Sequence, residues 1–143
     1  MPIIRELPVE QTHRAYEVML ELRPEMGSKE DFVARVNGSL RPEGYRLVAS
    51  FGHDDEVAAV AGFRTGHNLA WGHFLYVDDL VTAESARRKG HAGALMDWLD
   101  KEAERLGCDQ FHLDSATFRY EAHRFYFNRR LVIPGFHFSR PVR

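Results

Sequence analysis

The segment 78–96 constrains the fold more than any other part of the chain. It contains the end of an apolar strand, continues through the basic turn Arg87-Arg88-Lys89 and takes on helical periodicity after Gly90. The first N–H groups of a helix have no partners within the helix, and they carry partial positive charge. The segment therefore predicts a strand, a turn and a helix in that order, with an anion site where the helix begins.

Residue size and charge indicate that this anion is a diphosphate. Glycine and alanine leave room for an anion beside the backbone N–H groups, and basic side chains at the rim attract it. The residues that we expect to bind it are Arg87, Arg88, Lys89, Gly90, His91, Ala92 and Gly93. A Walker loop is excluded because its lysine and hydroxyl residue are missing after Gly90, and the three-glycine dinucleotide fingerprint is incomplete.

Two motifs resemble those of one family. Arg87-x-x-Gly90-x-Ala92 is similar to the coenzyme-A-binding motif Arg/Gln-x-x-Gly-x-Gly/Ala of the GNAT superfamily of N-acetyltransferases. The segment 122–126, Ala-His-Arg-Phe-Tyr, resembles the Ala-x-x-Phe-Tyr of the helix that follows the fifth strand of that family. The resemblance implies direct transfer of an acetyl group from acetyl-CoA to the primary amine of a small molecule or a peptide.

Composition limits the remaining classes of function. The chain has 143 residues, of which 44% are hydrophobic, and we expect residues 1–143 to form a single domain. A formal net charge of -2 argues against a nucleic-acid-binding protein. The single Cys108 allows no internal disulfide, and the N-terminus lacks the apolar run of a signal peptide or membrane span. We therefore expect a cytoplasmic protein that binds neither nucleic acid nor membrane.

Hydrophobic periodicity and turn residues predict a mixed α/β chain. The predicted strands are residues 3–7, 45–51, 57–64, 69–82, 111–113 and 132–138. The predicted helices are 9–22, a segment from a Ser28 N-cap to about Gly38, 90–106 and 120–128. A turn at 65–68 is expected to join the third and fourth strands.

This order is similar to the GNAT fold, an α/β (α+β) architecture. The fold implies a mixed, mostly antiparallel sheet of about six to seven strands with about four flanking helices. It also implies that the strands 69–82 and 111–113 splay apart, so that the pantetheine arm enters the gap like an added strand and hydrogen-bonds the backbone of Leu80, Val81 and Thr82. Homodimers are frequent in the family, and the apolar strand 132–138 is a candidate contact.

Acetyl transfer to an amine needs a base for the amine proton and an acid for the departing thiolate. The resemblance assigns the acid to Tyr126, and the alternative is a core tyrosine with a satisfied hydroxyl. It assigns the base to Asp78, because family members often carry an acid four positions before the residue that matches Thr82. The alternative is that Asp78 and Asp79 bind a cation without proton transfer, or cap a loop.

Strand alternation adds an expectation about the acceptor. It places Tyr76, Asp78 and Leu80 on one face of their strand and Val77, Asp79 and Val81 on the other. We expect Asp79 and Tyr76 to contact the substrate, and the acidic residues suggest a cationic acceptor. Other candidates for the base are His73, Glu84 and His123.

Metal chemistry and cysteine catalysis are not expected. None of the eight histidines stands in a zinc-type pair with a nearby cysteine or acid. Cys108 follows Gly107 at a helix exit, where an apolar filler is favoured over a nucleophile.

Two residues depart from the family pattern. Arg119 stands where asparagine is common, and Arg130 stands where the family has glycine at the exit of the tyrosine helix. Because a left-handed arginine costs about 1 kcal/mol, the helix exit is expected to shift. These departures leave two alternatives open: a catalytically silent acyl-CoA sensor or interaction module, and an acyltransferase for a longer acyl chain or a non-amine acceptor.

Overall fold

A computed structural model describes all residues from Met1 to Arg143. Its strands are β1 (Ile3–Leu7), β2 (Arg46–Phe51), β3 (Val57–Asn68), β4 (Gly72–Thr82) and β5 (Gln110–Leu113). Its α-helices are α1 (Tyr16–Leu22), α2 (Lys29–Arg35), α3 (His91–Arg105) and α4 (Tyr120–Asn128). Two compact units divide the chain, Met1–Leu113 and Asp114–Arg143. None of the helices is both long and apolar enough to cross a bilayer.

The sheet belongs to the first unit and has the order β1-β2-β3-β4-β5. Neighbours from β1 to β4 are antiparallel, and β5 is parallel to β4. The predicted α/β class and the mostly antiparallel sheet are confirmed. The strand number is five, below the predicted six to seven.

The prediction of a strand at residues 132–138 is wrong, and this explains why the sheet has fewer strands than expected. This segment is irregular, and its large apolar side chains face solvent. Pro134 cannot donate a backbone hydrogen bond and Gly135 has no side chain to pack, so the segment lacks what a paired strand needs.

The two faces of the sheet are covered by different helices. On one face, a buried core joins α1 and α2 to the sheet; it includes Val18, Met19, Phe32, Leu47, Phe51 and Val60. On the other face lies α3, whose fully buried side chains are Leu95, Met96 and Leu99. Burial of each such side chain contributes roughly 1.5–3 kcal/mol, so both layers hold the sheet in place.

Local signals located most element ends. The capping box predicted at Ser28 is present, because the Ser28 hydroxyl accepts from the Asp31 N–H and the Asp31 carboxylate accepts from the Ser28 N–H. Gly38 does not end that helix, since a π-helical turn continues through it over Val36–Leu40. The predicted turn at 65–68 is wrong, because β3 runs on to Asn68, whose side chain caps the tighter turn by accepting from the Trp71 N–H.

The splay expected between the two strands stays a prediction, but within the first unit β5 pairs with only the first part of β4. The pairing of β4 with β5 runs from Phe74 opposite Gln110 to Val77 opposite Leu113 and ends there. From Asp79 to Thr82, β4 is paired only with β3. A backbone edge is therefore left beside the predicted pantetheine-binding residues.

Candidate functional site

The turn between β4 and α3 has the backbone shape that an anion site requires. We call residues 87–93 the phosphate turn. Gly90 is the N-cap of α3 with φ of 86°, and Arg88 is also left-handed with φ of 65°. A Cβ on Gly90 would meet no atom within 4 Å. The glycine is therefore needed for its left-handed backbone conformation, since no protein atom would crowd a side chain there.

The start of α3 has unused hydrogen-bond donors. No side chain caps the helix, and the first bond that closes it runs from the Ala94 N–H to the Gly90 carbonyl. The four backbone N–H groups before Ala94 therefore have no acceptor within the protein. They belong to Gly90, His91, Ala92 and Gly93. These donors and the helix dipole fit the diphosphate of coenzyme A.

The basic residues of the phosphate turn are available to a ligand. Arg87, Arg88 and Lys89 are exposed, and none of them forms an ion pair within the protein. An unpaired cluster of three cations next to free amide donors attracts an anion of multiple charge. The anion site at residues 87–93 stays a prediction, with which the free donors and the exposed cations are consistent.

The side chain of His91 has a role that sequence reasoning did not assign. It is buried, and its Nδ1 lies 2.7 Å from the Ser50 hydroxyl oxygen. Burial, and then the charge of Lys89, lower the pKa of the imidazole. A neutral His91 therefore ties the start of α3 to β2 and holds the phosphate turn against the sheet.

The strand β4 contains a bulge at Asp78. Val77 pairs with Phe63 and Asp79 pairs with Gly62, so Asp78 is an extra residue that faces no partner in β3. Because paired residues share a face, Val77 and Asp79 lie on opposite faces of the sheet. The prediction that they share one face is wrong, since an extra residue breaks the alternation at that point.

Asp79 is held by residues from two other segments. Its Oδ2 accepts from the Tyr45 hydroxyl at 2.7 Å, and its Oδ1 accepts from Arg23 Nε at 3.0 Å. Burial and the carboxylate of Asp79 keep the pKa of Tyr45 well above its usual value, so the hydroxyl stays a donor. Gly62 makes room for this contact, because a Cβ there would lie 1.8 Å from the Tyr45 oxygen.

Asp78 is half-buried and has a different partner. Its Oδ2 accepts from Arg64 Nε at 2.9 Å, and its backbone carbonyl accepts from Arg23 Nη2 at 3.0 Å. Burial raises the pKa of the Asp78 carboxyl, although Arg64 acts in the opposite direction and the charge of Asp79 adds to the rise. A carboxyl with a raised pKa is a stronger base than an ordinary surface aspartate.

A cavity of about 200 Å³ opens beside the Asp79 cluster, and its walls come from α1, α2, the segments after them and β4. It is lined by Met19, Arg23, Met26, Phe32, Arg35, Val36, Leu40, Tyr45 and Asp79. Mostly apolar walls with one carboxylate and two guanidinium groups suit a small amphipathic ligand.

Tyr126 lies in α4, within the second unit. Its side chain is buried at 9% exposure, and no hydrogen bond within the protein engages its hydroxyl. Burial raises the pKa of the phenol, with a smaller opposite effect from Arg119. The alternative of a core tyrosine with a satisfied hydroxyl does not describe it, since the group is neutral at physiological pH and free to donate.

The exit of α4 did not shift, contrary to expectation. Arg130 itself adopts the left-handed conformation, with φ of 69°. The N–H of Arg130 bonds the Phe127 carbonyl and the N–H of Leu131 bonds the Tyr126 carbonyl. These two bonds satisfy the last carbonyls of the helix and compensate for the strain of a left-handed arginine.

The other candidates for the base are less favourably placed. His73 stacks on His67 at the hairpin end of β4, about 16 Å along the strand from Asp78. The ring Nε2 of His123 lies 2.8 Å from the Ala116 carbonyl oxygen in the second unit. Glu84 is exposed in a short turn after β4.

Burial, with the charges of Asp109 and Glu102, raises the pKa of the Cys108 thiol, so it stays protonated. No group of three or more histidine, cysteine, aspartate or glutamate side chains is placed to hold a metal ion.

Sequence reasoning missed the partners of the two aspartates, namely Arg23, Tyr45 and Arg64. All three lie outside β4, and only the folded chain brings them to the bulge. The local signal was Gly62 at the end of the apolar run 57–61, because a glycine inside a strand marks a bulge or a close approach.

Comparison with known proteins places this geometry in context. A sequence model described as the Acetyltransferase (GNAT) family matches residues 8–130. The chain is 30% identical over 134 residues to the "Uncharacterized N-acetyltransferase YhdJ" of Bacillus subtilis (strain 168), and the alignment covers 93% of each protein.

Solved structures share the fold at low sequence identity. One is the aminoglycoside N-acetyltransferase AAC(6')-Iy in complex with the bisubstrate analog CoA-S-monomethyl-acetylneamine, with a TM-score of 0.86, 12% identity, and coverage of 100% of this chain and 99% of that one. Another is the ribosomal-protein-alanine N-acetyltransferase of Brucella melitensis biovar Abortus 2308, with a TM-score of 0.82, 17% identity and 99% coverage of both chains.

Proposed function

The chain belongs to the GNAT family of acetyltransferases and is an acetyl-CoA-dependent acyltransferase, and from that premise we propose that it moves the acetyl group directly to a primary amine. In this proposal residues 1–143 act as one catalytic domain, and the protein is located in the cytoplasm. The observation that carries it is the pairing of a phosphate turn rich in free donors with a half-buried carboxylate on the same strand–turn–helix unit.

The phosphate turn and the open edge of β4 bind the cosubstrate. The free N–H groups from Gly90 to Gly93 and the cations at 87–89 hold the diphosphate of coenzyme A. The backbone of Leu80, Val81 and Thr82 hydrogen-bonds the pantetheine amides along the edge that β5 leaves open. When bound, acetyl-CoA supplies the thioester whose carbon–sulfur bond breaks in the reaction.

Asp78 prepares the acceptor. A primary amine arrives as an ammonium ion, whose nitrogen has no lone pair for attack. The Asp78 carboxylate takes one proton, directly or through a water molecule, and the neutral amine forms the new carbon–nitrogen bond. Asp79 and Tyr76 contact the acceptor from the neighbouring positions of the strand.

Tyr126 completes the proton balance. As the carbon–sulfur bond breaks, the thiolate takes the phenol proton of Tyr126. The second proton that the nitrogen loses on becoming an amide passes to solvent, the Asp78 carboxyl also releases its proton to solvent, and solvent returns one proton to the tyrosine. The net change is that an ammonium and a thioester give an amide, a free thiol and one released proton. The buried, neutral and unengaged hydroxyl supports this role.

Two matched variants test the assignment. Tyr126→Phe is expected to lower kcat about 10- to 100-fold while the Kd for coenzyme A changes less than two-fold. Phe125→Leu is the control, because it alters the neighbouring ring and leaves the hydroxyl in place. Thiol release from acetyl-CoA is followed with a panel of amines, alcohols and acyl-CoA chain lengths. Equal rates for wild type and Tyr126→Phe would remove the acid role, and tight coenzyme binding without turnover on any acceptor would favour the sensor alternative.

We also propose that the protein forms a homodimer through its C-terminal segment. Five large apolar side chains of this segment are 63–91% exposed: Val132, Ile133, Phe136, Phe138 and Val142. Together they offer on the order of 700 Å² per copy, close to the ~800 Å² per partner of a standard interface. Residues 114–143 contain six arginines and two acidic residues, so their net charge is +4. Because the whole chain has a net charge of -2, residues 1–113 have a net charge of -6. These opposite charges favour contact between residues 114–143 of one copy and residues 1–113 of another.

Sedimentation of the full chain tests the dimer. We expect wild type to sediment as a dimer at micromolar concentration and the double variant Phe136→Ser/Phe138→Ser as a monomer. Leu69→Ser is the control, because Leu69 is equally exposed but lies in the hairpin turn between β3 and β4. A monomeric wild type at every concentration would refute the interface.

A further inference from the structure

A cation already occupies the carboxylate that we assign as the base. Arg64 donates from Nε to Asp78 Oδ2 at 2.9 Å, and its guanidinium carbon lies 5.1 Å from the centre of the Tyr76 ring. Arg64 and Tyr76 are direct partners across β3 and β4. The Arg64 guanidinium thus contacts the Asp78 carboxylate and the face of the Tyr76 ring. A carboxylate beside an aromatic face is an arrangement that binds ammonium ions.

Tyr76 is one of three aromatic side chains that lie close to one another. We call Trp71, Tyr76 and His112 the aromatic shelf. Trp71 and His112 are stacked at 3.5 Å between ring centres, and Tyr76 lies nearly parallel to His112, with an angle of 11° at 6.3 Å. All three side chains are half-buried, so each presents part of its surface to solvent. A flat apolar body is complementary to such a surface.

The ion pair between Arg64 and Asp78 is weak enough for a ligand to break it. Its side chain is 45% exposed, and the Asp78 side chain is 27% exposed. Ion pairs of this exposure contribute little free energy, because water and salt compete for both partners. Arg23 differs: it bridges the Asp78 carbonyl and the Asp79 carboxylate, and the Asp79 side chain is only 16% exposed.

We propose that Arg64 is a placeholder in the acceptor site, and that a protonated primary amine on a flat apolar or aromatic body displaces it from Asp78. The ammonium group takes the position of the guanidinium beside the Tyr76 ring, and the body packs against the aromatic shelf. This inference rests on the proposed acetyl transfer and names the class of its acceptor. Displacement also exposes Asp78 to the proton that it is to accept.

The test measures binding of tryptamine to the full chain by calorimetry, with the uncharged alcohol tryptophol as the matched ligand. Arg64→Gln is expected to bind tryptamine about five-fold tighter than wild type, because the competing cation is gone. Arg64→Lys keeps a competing cation and is expected to stay within two-fold of wild type. Tryptophol affinity is expected to be the same in all three proteins.

Arg5→Gln is the control for a general loss of an arginine. Arg5 also pairs with an aspartate, Asp55, and lies 4.2 Å from the centre of an aromatic ring, Phe51. It sits on β1, at the opposite edge of the sheet from β5, so its removal is expected to leave tryptamine affinity unchanged.

Three results would overturn the placeholder role. They are tryptamine affinity in Arg64→Gln that equals or falls below that of wild type, an equal gain for tryptophol, and no tryptamine binding by either protein. Turnover separates this inference from the proposed function. Acetyl transfer to other amines, combined with any of these results, refutes the placeholder alone. A five-fold gain in tryptamine affinity, combined with no acetyl transfer to any amine, refutes the proposed function alone.

Discussion

The phosphate turn and the β4 bulge stand close together in the chain, yet they are built in different ways. The phosphate turn is made of main-chain donors and neighbouring cations, all from residues 87–93. The bulge is made of side chains, and the partners of its two aspartates come from three other segments through Arg23, Tyr45 and Arg64. A main-chain site depends on local conformation, whereas a side-chain site depends on packing across the molecule.

This difference separates the two halves of the proposed reaction. In our proposal the turn binds a part of the cosubstrate that is the same in every acyl-CoA, so local geometry suffices. In the same proposal the bulge and its cavity contact the acceptor, and changes in distant residues alter them without disturbing the turn. We therefore expect variants to affect coenzyme affinity or acceptor chemistry, with little overlap between the two.

The largest expected effect breaks the turn. Gly90→Val forces a β-branched residue to a φ of 86°, and we expect the Kd for coenzyme A to rise at least about 100-fold, because several charge-assisted bonds are lost together. Gly107→Val is the matched control, since Gly107 has a φ of 75° and no atom within 4 Å of its Cβ position, and it follows the other end of α3. Calorimetry that shows equal coenzyme affinity in the two variants would refute the placement of the diphosphate.

The next effect separates chemistry from coenzyme binding. Asp78→Asn is expected to lower kcat/KM about 100-fold and to leave the Kd for coenzyme A unchanged. The groups that set the pKa of Asp78 are Arg64, Asp79 and Arg23, together with burial, and the net direction is upward. In wild type the base is active only above that raised pKa, so the rate falls as pH drops through it. This acidic limb is expected to vanish in Asp78→Asn; a limb that persists would assign the base elsewhere.

A smaller effect tests how the bulge is supported. Gly62→Ala places a Cβ 1.8 Å from the Tyr45 hydroxyl oxygen, so Tyr45 must move away from Asp79. We expect a loss of about 1–3 kcal/mol in the free energy of unfolding in urea, and a higher KM for the acceptor at unchanged coenzyme affinity. Gly38→Ala is the control, because a Cβ at Gly38 meets nothing within 4 Å. Unchanged acceptor KM in Gly62→Ala would show that the bulge does not depend on Tyr45.

The smallest effect lies outside both sites. Arg130→Gly relieves a left-handed arginine at the exit of α4, and we expect a gain of about 0.5 kcal/mol in the free energy of unfolding. Coenzyme affinity and acceptor KM are expected to stay the same. Asn128→Gly, within α4, should lose a similar amount, since its backbone is helical. A destabilised Arg130→Gly would mean that the arginine side chain contributes more than its backbone strain costs.

The sequence predicted features that depend on neighbouring residues. Periodicity located α3 and α4 to within one residue, the Ser28 capping box was recognised, and the residues of the phosphate turn were identified as a set. The predictions that failed involve distant partners. A bulge in β4 placed Val77 and Asp79 on opposite faces of the sheet, and the segment 132–138 does not pair with any strand.

The sequence by itself determined the family, the order of the elements through α4 and the strand–turn–helix unit that ends in α3. Each of these depends on periodicity, glycine conformation or charge within a few residues of chain. Only the tertiary structure decided which groups surround the two aspartates and which cation covers Asp78. The partners come from the residue before β2, from β3 and from the residue after α1, and the folded sheet alone brings their side chains to within hydrogen-bond distance of the bulge.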